Sequence, residues 1–261
     1  MKKLIFVAIS ALMIFTIFSC SKKNEGDLLS QIRSKGKITI ATEGSWAPWT
    51  YHDETNVLVG YDVEVGKKLA EKLGVKAEFV EVDWDGIFAG IDAKRYDISC
   101  NGVEVTDERS LKYDFTEPYA YTRTALIVRN DNKTISDFAD LKGKTTANSI
   151  GSTYSEVAER LGAKVVTIDS FEETLQLVEH GRADATLNDN ATFYYYQKVQ
   201  PKNPFKVVAE TKNPSHVAIP LRKGTETATL KDALNKAIEE LKASGELKQI
   251  SEKYFGTDLT K

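Results

Sequence analysis

The chain has 261 residues, 41% of them hydrophobic and 28% charged, with 35 Lys and Arg against 38 Asp and Glu for a formal charge of −3. This composition excludes a disordered or collagen-like chain and fits a globular protein with a sizeable core. The near-balanced charge leaves no basic surface for nucleic acid, and the length is past the roughly 250 residues at which single cores tend to split, so two domains are expected.

Residues 4–19 form the one long apolar run, immediately behind Lys2 and Lys3. The run is shorter than the about 20 residues a membrane span needs and reads as an export signal. It ends in Ile17-Phe18-Ser19-Cys20 ahead of a polar stretch, a tetrapeptide that resembles a bacterial lipoprotein signal with Cys20 as the acylated residue. Phe18 departs from the smaller residue usual at its position. An uncleaved anchor and a cleaved, unlipidated secreted form are the alternatives. Cleavage before Cys20 removes two lysines, which makes the mature chain more acidic by two charges. With Cys20 acylated, Cys100 has no disulfide partner. In the apolar-flanked run Tyr96-Asp97-Ile98-Ser99-Cys100 it reads as a buried inert thiol.

Past a polar linker over 21–30, short β-rich runs alternate with helical periodicity, the pattern of an α/β fold with largely parallel strands. The first strand is predicted over 37–41. A helix follows to Leu73, with Asp62 as its N-cap, Val65, Leu69 and Leu73 on one side, and Gly74 at its end. Next come a strand over 77–82, a helix over 85–93, a strand over 97–100 and a short helix opened by Thr106. A second series repeats this rhythm with strands over 144–147, 164–168 and 183–187 and helices over 153–161 and 171–180. A closing helix over 227–242 carries Leu230, Leu234, Ile238 and Leu241 on one stripe and ends at Gly245. The extended stretches 121–129 and 215–222 stand at the two junctions. Two crossings imply a discontinuous first lobe, a ligand cleft between the lobes and hinge closure.

Enzymatic and metal signatures are scarce. The sequence has no HExxH, GxSxG, GxxxxGK[ST], CxxC or GxGxxG pattern, and His52, His180 and His216 are far apart, so neither a metal nor a cofactor is expected. The aromatics are more informative, because Trp46, Trp49 and Trp84 each follow a predicted strand, where open α/β sheets bind ligands. Core packing is the competing role for each. Arg109, where a strand end leads into a short helix, offers a fork that fits a carboxylate. Surface pairing with Asp107 or Glu108 is its alternative. Ser149-Ile150-Gly151-Ser152-Thr153 has the make-up of a strand-to-helix turn that receives an anion. Asp189, just after a strand, could face an ammonium.

Ordered stretches through the chain extend this picture, among them Ser45-Trp46-Ala47-Pro48-Trp49, Gly60-Tyr61-Asp62-Val63, Trp84-Asp85-Gly86, Val105-Thr106-Asp107-Glu108-Arg109, Tyr113-Asp114-Phe115-Thr116-Glu117-Pro118-Tyr119, Asp140-Leu141-Lys142-Gly143-Lys144 and Glu252-Lys253-Tyr254-Phe255-Gly256. With them the sequence resembles the polar amino-acid binding proteins of bacterial ABC importers, solute-binding protein family 3. Asn101-x-Val103 and Leu187-Asn188-Asp189 are most similar to its cystine-binding branch. The resemblance implies a type II periplasmic-binding-protein fold, α/β and two-lobed, with two hinge strands. It implies a signal over 1–19, a tether over 20–35, a first lobe over 36–122 and 218–261, and a second lobe over 123–217.

The resemblance further implies that Arg109 clamps a ligand α-carboxylate, with Gly151, Ser152 and Thr153 completing the clamp. Gly102 would meet the α-ammonium through its backbone and Asp189 through its charge. Trp46 would pack over the ligand, and Glu43, Trp84 and Asn101 would line the side-chain pocket. Glu104 departs from the Ser or Thr common in relatives. Together with Asp189 it makes the ammonium site over-negative unless the ligand carries extra positive charge, one carboxyl is protonated, or Glu104 turns towards Arg109; pointing outward to solvent or to a second-lobe donor is its alternative. The implied protein is a lipid-anchored, extracytoplasmic monomer that binds a polar L-amino acid, with cystine or cysteine as candidates, and hands it to an ABC permease and its ATPase without catalysis. A secreted enzyme similar to cyclohexadienyl dehydratases and a ligand-sensing surface protein are the competing readings.

Overall fold

The computed structural model describes residues 27–261. The expected signal over 1–19 and the Cys20 lipidation site lie outside the described residues.

The expected tether does not run to residue 35. Helix α1 (Leu28–Lys35) is capped by Asp27, whose carboxylate accepts from the Ser30 N–H, and Gly36 ends it in the left-handed conformation. Leu28, Leu29 and Ile32 recur at helical spacing and enter the main core, so these residues are part of the lobe. Strand β1 (Lys37–Thr42) follows. A small antiparallel meander comes next, made of β2 (Ser45–Trp46), β3 (Thr50–His52) and β4 (Leu58–Val59).

Helix α2 (Tyr61–Leu73) starts two residues earlier than the sequence suggests, because Gly60, not Asp62, is its N-cap. A Cβ at Gly60 would lie 2.2 Å from the Trp49 carbonyl oxygen, so the chain turns there only as glycine. The first helical N–H groups are satisfied by loop carbonyls, Tyr61 to Pro48 and Asp62 to Trp49, which frees the Asp62 carboxylate for other work. Strand β5 (Lys76–Glu81), helix α3 (Gly86–Asp92), strand β6 (Ile98–Ser99) and helix α4 (Asp107–Lys112) complete this series. The sheet order is β5-β1-β6, all parallel.

The connection between the lobes begins with β7 (Tyr113–Phe115) and β8 (Ala120–Thr122) and enters the second lobe at β9 (Thr124–Arg129). Every residue of β9 from Thr124 to Val128 is buried, and its side chains alternate between two cores. Ala125 and Ile127 join one, and Leu126 and Val128 the other. A single 3₁₀ turn over Phe138–Leu141 precedes β10 (Thr145–Asn148), α5 (Thr153–Arg160), β11 (Lys164–Thr167) and α6 (Phe171–Glu179). Strand β12 (Thr186–Asp189), helix α7 (Asn190–Val199) and strand β13 (Phe205–Glu210) close the lobe. β10 and β11 are parallel, but β9 is antiparallel to both β12 and β13, so this lobe is mixed. The predicted strand over 183–187 sits two to three residues later, because its ladder with β9 begins at Thr186.

The chain returns through β14 (Ser215–Val217), antiparallel to β8, and β15 (Pro220–Arg222), antiparallel to β7. Helix α8 (Thr225–Ala243) lays its apolar stripe on the first core, and α9 (Glu246–Phe255) follows at once, with the left-handed Gly245 serving as the corner between them. The fold is therefore two α/β lobes joined by two extended crossings.

Replacing Ile32 by Ala tests whether α1 is a structural element. Its side chain is fully buried, so the substitution is expected to cost about 2 to 5 kcal/mol in urea unfolding. A cost near zero would mean that α1 is a tether after all.

Candidate functional site

The segment between β6 and α4 runs beside the returning hinge strand. The Val105 N–H donates to the His216 carbonyl (2.8 Å), the Ala218 N–H to the Val103 carbonyl (3.0 Å), and Glu104 bridges Val217. Thr106 caps α4 by accepting from the Arg109 N–H, which sends the Arg109 side chain back towards the cleft. There the guanidinium donates to the Glu104 carbonyl (3.0 Å) and to the Gly151 carbonyl of the other lobe (3.3 Å). It also lies over the Trp84 and Phe88 rings, 5.2 and 5.3 Å from their centroids. Arg109 is 8% exposed, and among the described residues no carboxylate pairs with it.

Glu104 is the counterpart. It is 6% exposed, and one carboxylate oxygen accepts from the Thr153 hydroxyl across the cleft, while the other, Oε1, is buried without a partner. Both Arg109 and Glu104 line a cavity between the lobes, shared with Glu43, Trp46, Trp84, Gly102, Ser152 and Thr153. Ser45, Ser149, Tyr154, Asp169, Ser170, Phe171 and Asn188 complete the wall. From the second lobe, Ser152 caps α5 by accepting from the Ser155 N–H and donates its hydroxyl to the Ser149 carbonyl (2.7 Å), which fixes the turn at the cavity edge.

Two buried networks hold the first-lobe wall. Gly102 has a φ of +57° and would place a Cβ 2.6 Å from the Trp46 ring, so only glycine lets Trp46 lie against it and stack on Trp49 (5.6 Å). The Gly102 N–H donates to the fully buried Asp62, whose other oxygen accepts from the Tyr119 hydroxyl (2.8 Å). In the second network Asn101 accepts from the Glu43 N–H (2.8 Å) and the Thr42 hydroxyl (3.2 Å), and its amide donates to the Glu43 carboxylate.

Three of the expected site residues are therefore not part of the cavity wall. Asn101 is fully buried and orients Glu43. Gly151 supplies a carbonyl to Arg109. Asp189 does not line the cavity. As the N-cap of α7 it accepts from the Thr192 N–H (2.7 Å) and hydroxyl (2.6 Å), and also from the Trp49 indole N–H of the first lobe (3.2 Å). Asp62, which sequence reasoning spent on a helix cap, and Asn188, Ser170 and Phe171 were missed. The last three flank predicted strand and helix ends in the second lobe, and that position was the available signal. Cys100 is buried and has no disulfide partner among the described residues. The histidines stay apart, with His52 against the Gly44 carbonyl, His180 against the Gln176 carbonyl and His216 edge-on to Tyr121. Among the described residues no group of three His, Cys, Asp or Glu could hold a metal, and no helix is long and apolar enough to cross a membrane.

Burial pushes the Glu43 carboxyl up to about 7 against the pull of its Asn101 hydrogen bond, Asp62 to about 7 and Asp189 to about 6. Each holds its proton more tightly folded than unfolded. Their contribution to stability is therefore full below about pH 4 and is lost as pH rises through about 6 to 7. Urea midpoints should fall between about pH 5 and pH 7.5, and less steeply in Glu43→Gln, which keeps an acceptor for Asn101. Parallel profiles for the two proteins would contradict a raised Glu43 carboxyl.

Residues 38–257 match the bacterial extracellular solute-binding proteins, family 3. The chain is 38% identical over 271 residues to the L-cystine-binding protein TcyA of Bacillus subtilis (strain 168), covering all of both. It is similar to the structure of an ancestral arginine-binding protein bound to arginine (37% identity, TM-score 0.78, 85% of this chain and 99% of that one). It is also similar to the L-cystine solute receptor of Neisseria gonorrhoeae in the unliganded open conformation (42% identity, TM-score 0.61, 90% of this chain and 100% of that one). A two-lobed α/β chain with a charged cavity between its lobes, matched over most of its length, belongs to the bacterial extracellular solute-binding proteins of family 3.

Proposed function

We propose that this chain is the substrate-binding component of an amino-acid ABC importer, anchored outside the cytoplasm by lipid on Cys20 and presenting its ligand to a permease and its ATPase. It works as a monomer with a first lobe over 28–122 and 218–261 and a second over 123–217. It performs no chemistry on the ligand and uses no cofactor.

One observation carries the reading. Among the described residues, a buried guanidinium without a carboxylate partner and a buried carboxylate oxygen without a donor line the same cavity, and the guanidinium donates to the carbonyl of that same glutamate. Opposite buried charges left unpaired side by side form a template for a zwitterion, because each is costly unless a ligand completes it. Arg109 takes the α-carboxylate with Ser152 and Thr153 at the lip of the second lobe. The ammonium needs acceptors, which the Gly102 carbonyl and Glu104 supply. Trp46, Trp84 and Glu43 bound the side-chain space, with Asn101 and Gly151 as supports.

The cross-lobe contacts Arg109 to Gly151, Thr153 to Glu104 and Trp49 to Asp189 correspond to a closed arrangement. A higher TM-score to an arginine-bound structure than to an open one of greater identity accords with that arrangement. Relatives named for cystine and arginine put these two ligands first in a binding panel.

Calorimetry across the proteinogenic L-amino acids and L-cystine tests the proposal. At least one should bind, and Arg109→Ala should weaken it by about 2 to 3 kcal/mol, roughly 30- to 150-fold. Unchanged affinity in Arg109→Ala would remove the clamp, and no binding by any member of the panel would remove the amino-acid reading.

A further inference from the structure

All three strands of the first-lobe sheet are parallel, so they start at one pole of the lobe and end at the other, where Glu43, Trp84 and Gly102 line the cavity. The starting pole is basic. Helix α1 brings Arg33 and Lys35 to it, and Lys37 opens β1 directly across from Lys76 of β5. Lys94 and Arg95 precede β6, held beside the start of β1 by the Asp97 N–H on the Thr39 carbonyl (2.9 Å). All six side chains belong to exposed residues.

The carboxylates around them are already engaged. Glu78 pairs with Lys37, and Glu226 holds both Lys94 (3.1 Å) and Arg222 (3.2 Å). Asp97 accepts from the Thr39 N–H (2.8 Å) and Asp92 from the Tyr113 hydroxyl (2.8 Å). Arg33, Lys35, Lys76 and Arg95 are left without a carboxylate partner among the described residues. Residues 1–26 hold four of the 35 Lys and Arg and one of the 38 Asp and Glu, so the described part of the chain is net acidic and this pole runs against its overall charge.

The pole also lies close to the expected anchor. Asp27 stands seven residues after Cys20, a stretch that reaches at most about 25 Å and includes Lys22 and Lys23. Its carboxylate accepts from the Ser30 N–H and from the Thr229 hydroxyl of α8 (2.6 Å), so the chain joins the first lobe at α1, whose eight residues cover about 12 Å to the basic end.

We propose that the basic pole of the first lobe docks on anionic phospholipid headgroups and stands the receptor on the membrane with its cleft and second lobe outward. This inference rests on the lipid-anchor reading above and adds the face that meets the bilayer. Each Lys or Arg near an anionic surface shifts the docked population about five-fold, and salt screens the attraction. Docking at the strand starts leaves the strand ends, and with them the cavity, free to take ligand.

The test places the mature protein, with its own modification, in vesicles of phosphatidylcholine alone or of phosphatidylcholine with phosphatidylglycerol, and follows lysine acetylation site by site by mass spectrometry. The intact mass is read first, and a Cys20 without lipid would overturn the anchor reading and this inference with it. With lipid present, Lys35 and Lys76 should react at least about five-fold more slowly on the anionic vesicles than on the neutral ones. High salt should restore their rates, and the exposed Lys133 and Lys202 of the second lobe should react alike on both vesicles. Arg33→Gln combined with Arg95→Gln, both outside the cavity wall, should return Lys35 and Lys76 towards their neutral-vesicle rates at an unchanged unfolding temperature. Equal rates on the two vesicles, slowing that salt does not relieve, or equal slowing of Lys133 and Lys202 would overturn the docking surface while leaving the anchor in place.

Discussion

A guanidinium enclosed by two aromatic rings keeps its charge at the expense of its hydration, and the surrounding protein returns only part of that loss. Arg109 receives two carbonyl oxygens and the faces of Trp84 and Phe88, but no carboxylate among the described residues. Carbonyls and ring faces orient a cation without neutralising it. The nearest matching charge, Glu104, turns its carboxylate away to Thr153 and leaves one oxygen unpaired. Much of the first-lobe wall can be understood as the means of keeping these two charges buried and apart. The α4 cap aims the arginine, the hinge strand fixes the Glu104 backbone, and the second lobe closes over both.

The same constraint ties binding to motion. Contacts that complete the site come from two lobes linked by two extended crossings, β8 to β9 and β13 to β14, so the site is whole only when the lobes are together. Asp189 contributes differently. It joins the Trp49 indole to the start of α7 near the crossings, where the Asn190 N–H donates to the Arg123 carbonyl and the Arg123 N–H to the Asn190 side-chain oxygen. Contacts near a hinge can persist through rotation, whereas those at Thr153 and Gly151, on the facing side of the cleft, are natural ones to separate.

Much of the architecture was legible in the sequence because periodicity carries it. The stripes of α2 and α8 and the apolar run of β1 are long enough to state their partners, and the two extended stretches marked the crossings. Helix α1 was read as linker because its eight residues carry only three buried apolar side chains, Leu28, Leu29 and Ile32. Antiparallel pairing of β9 was hidden because a strand buried on both faces reads alike in either orientation. At the site, Arg109 and Trp84 were visible as residue types in loops after strands. The division of labour among the acids was not. Whether Asp62, Glu104 or Asp189 faces a ligand, a glycine N–H or a helix end depends on side-chain directions that only the folded chain defines.

The most direct measurement of the central claim is mass spectrometry of small molecules released by denaturing protein purified without added ligand. The account predicts a stoichiometric compound with an ammonium and a carboxylate on one carbon, to complete Arg109 and Glu104 together. A stoichiometric sugar, phosphate ester or carboxylate without an ammonium would contradict it.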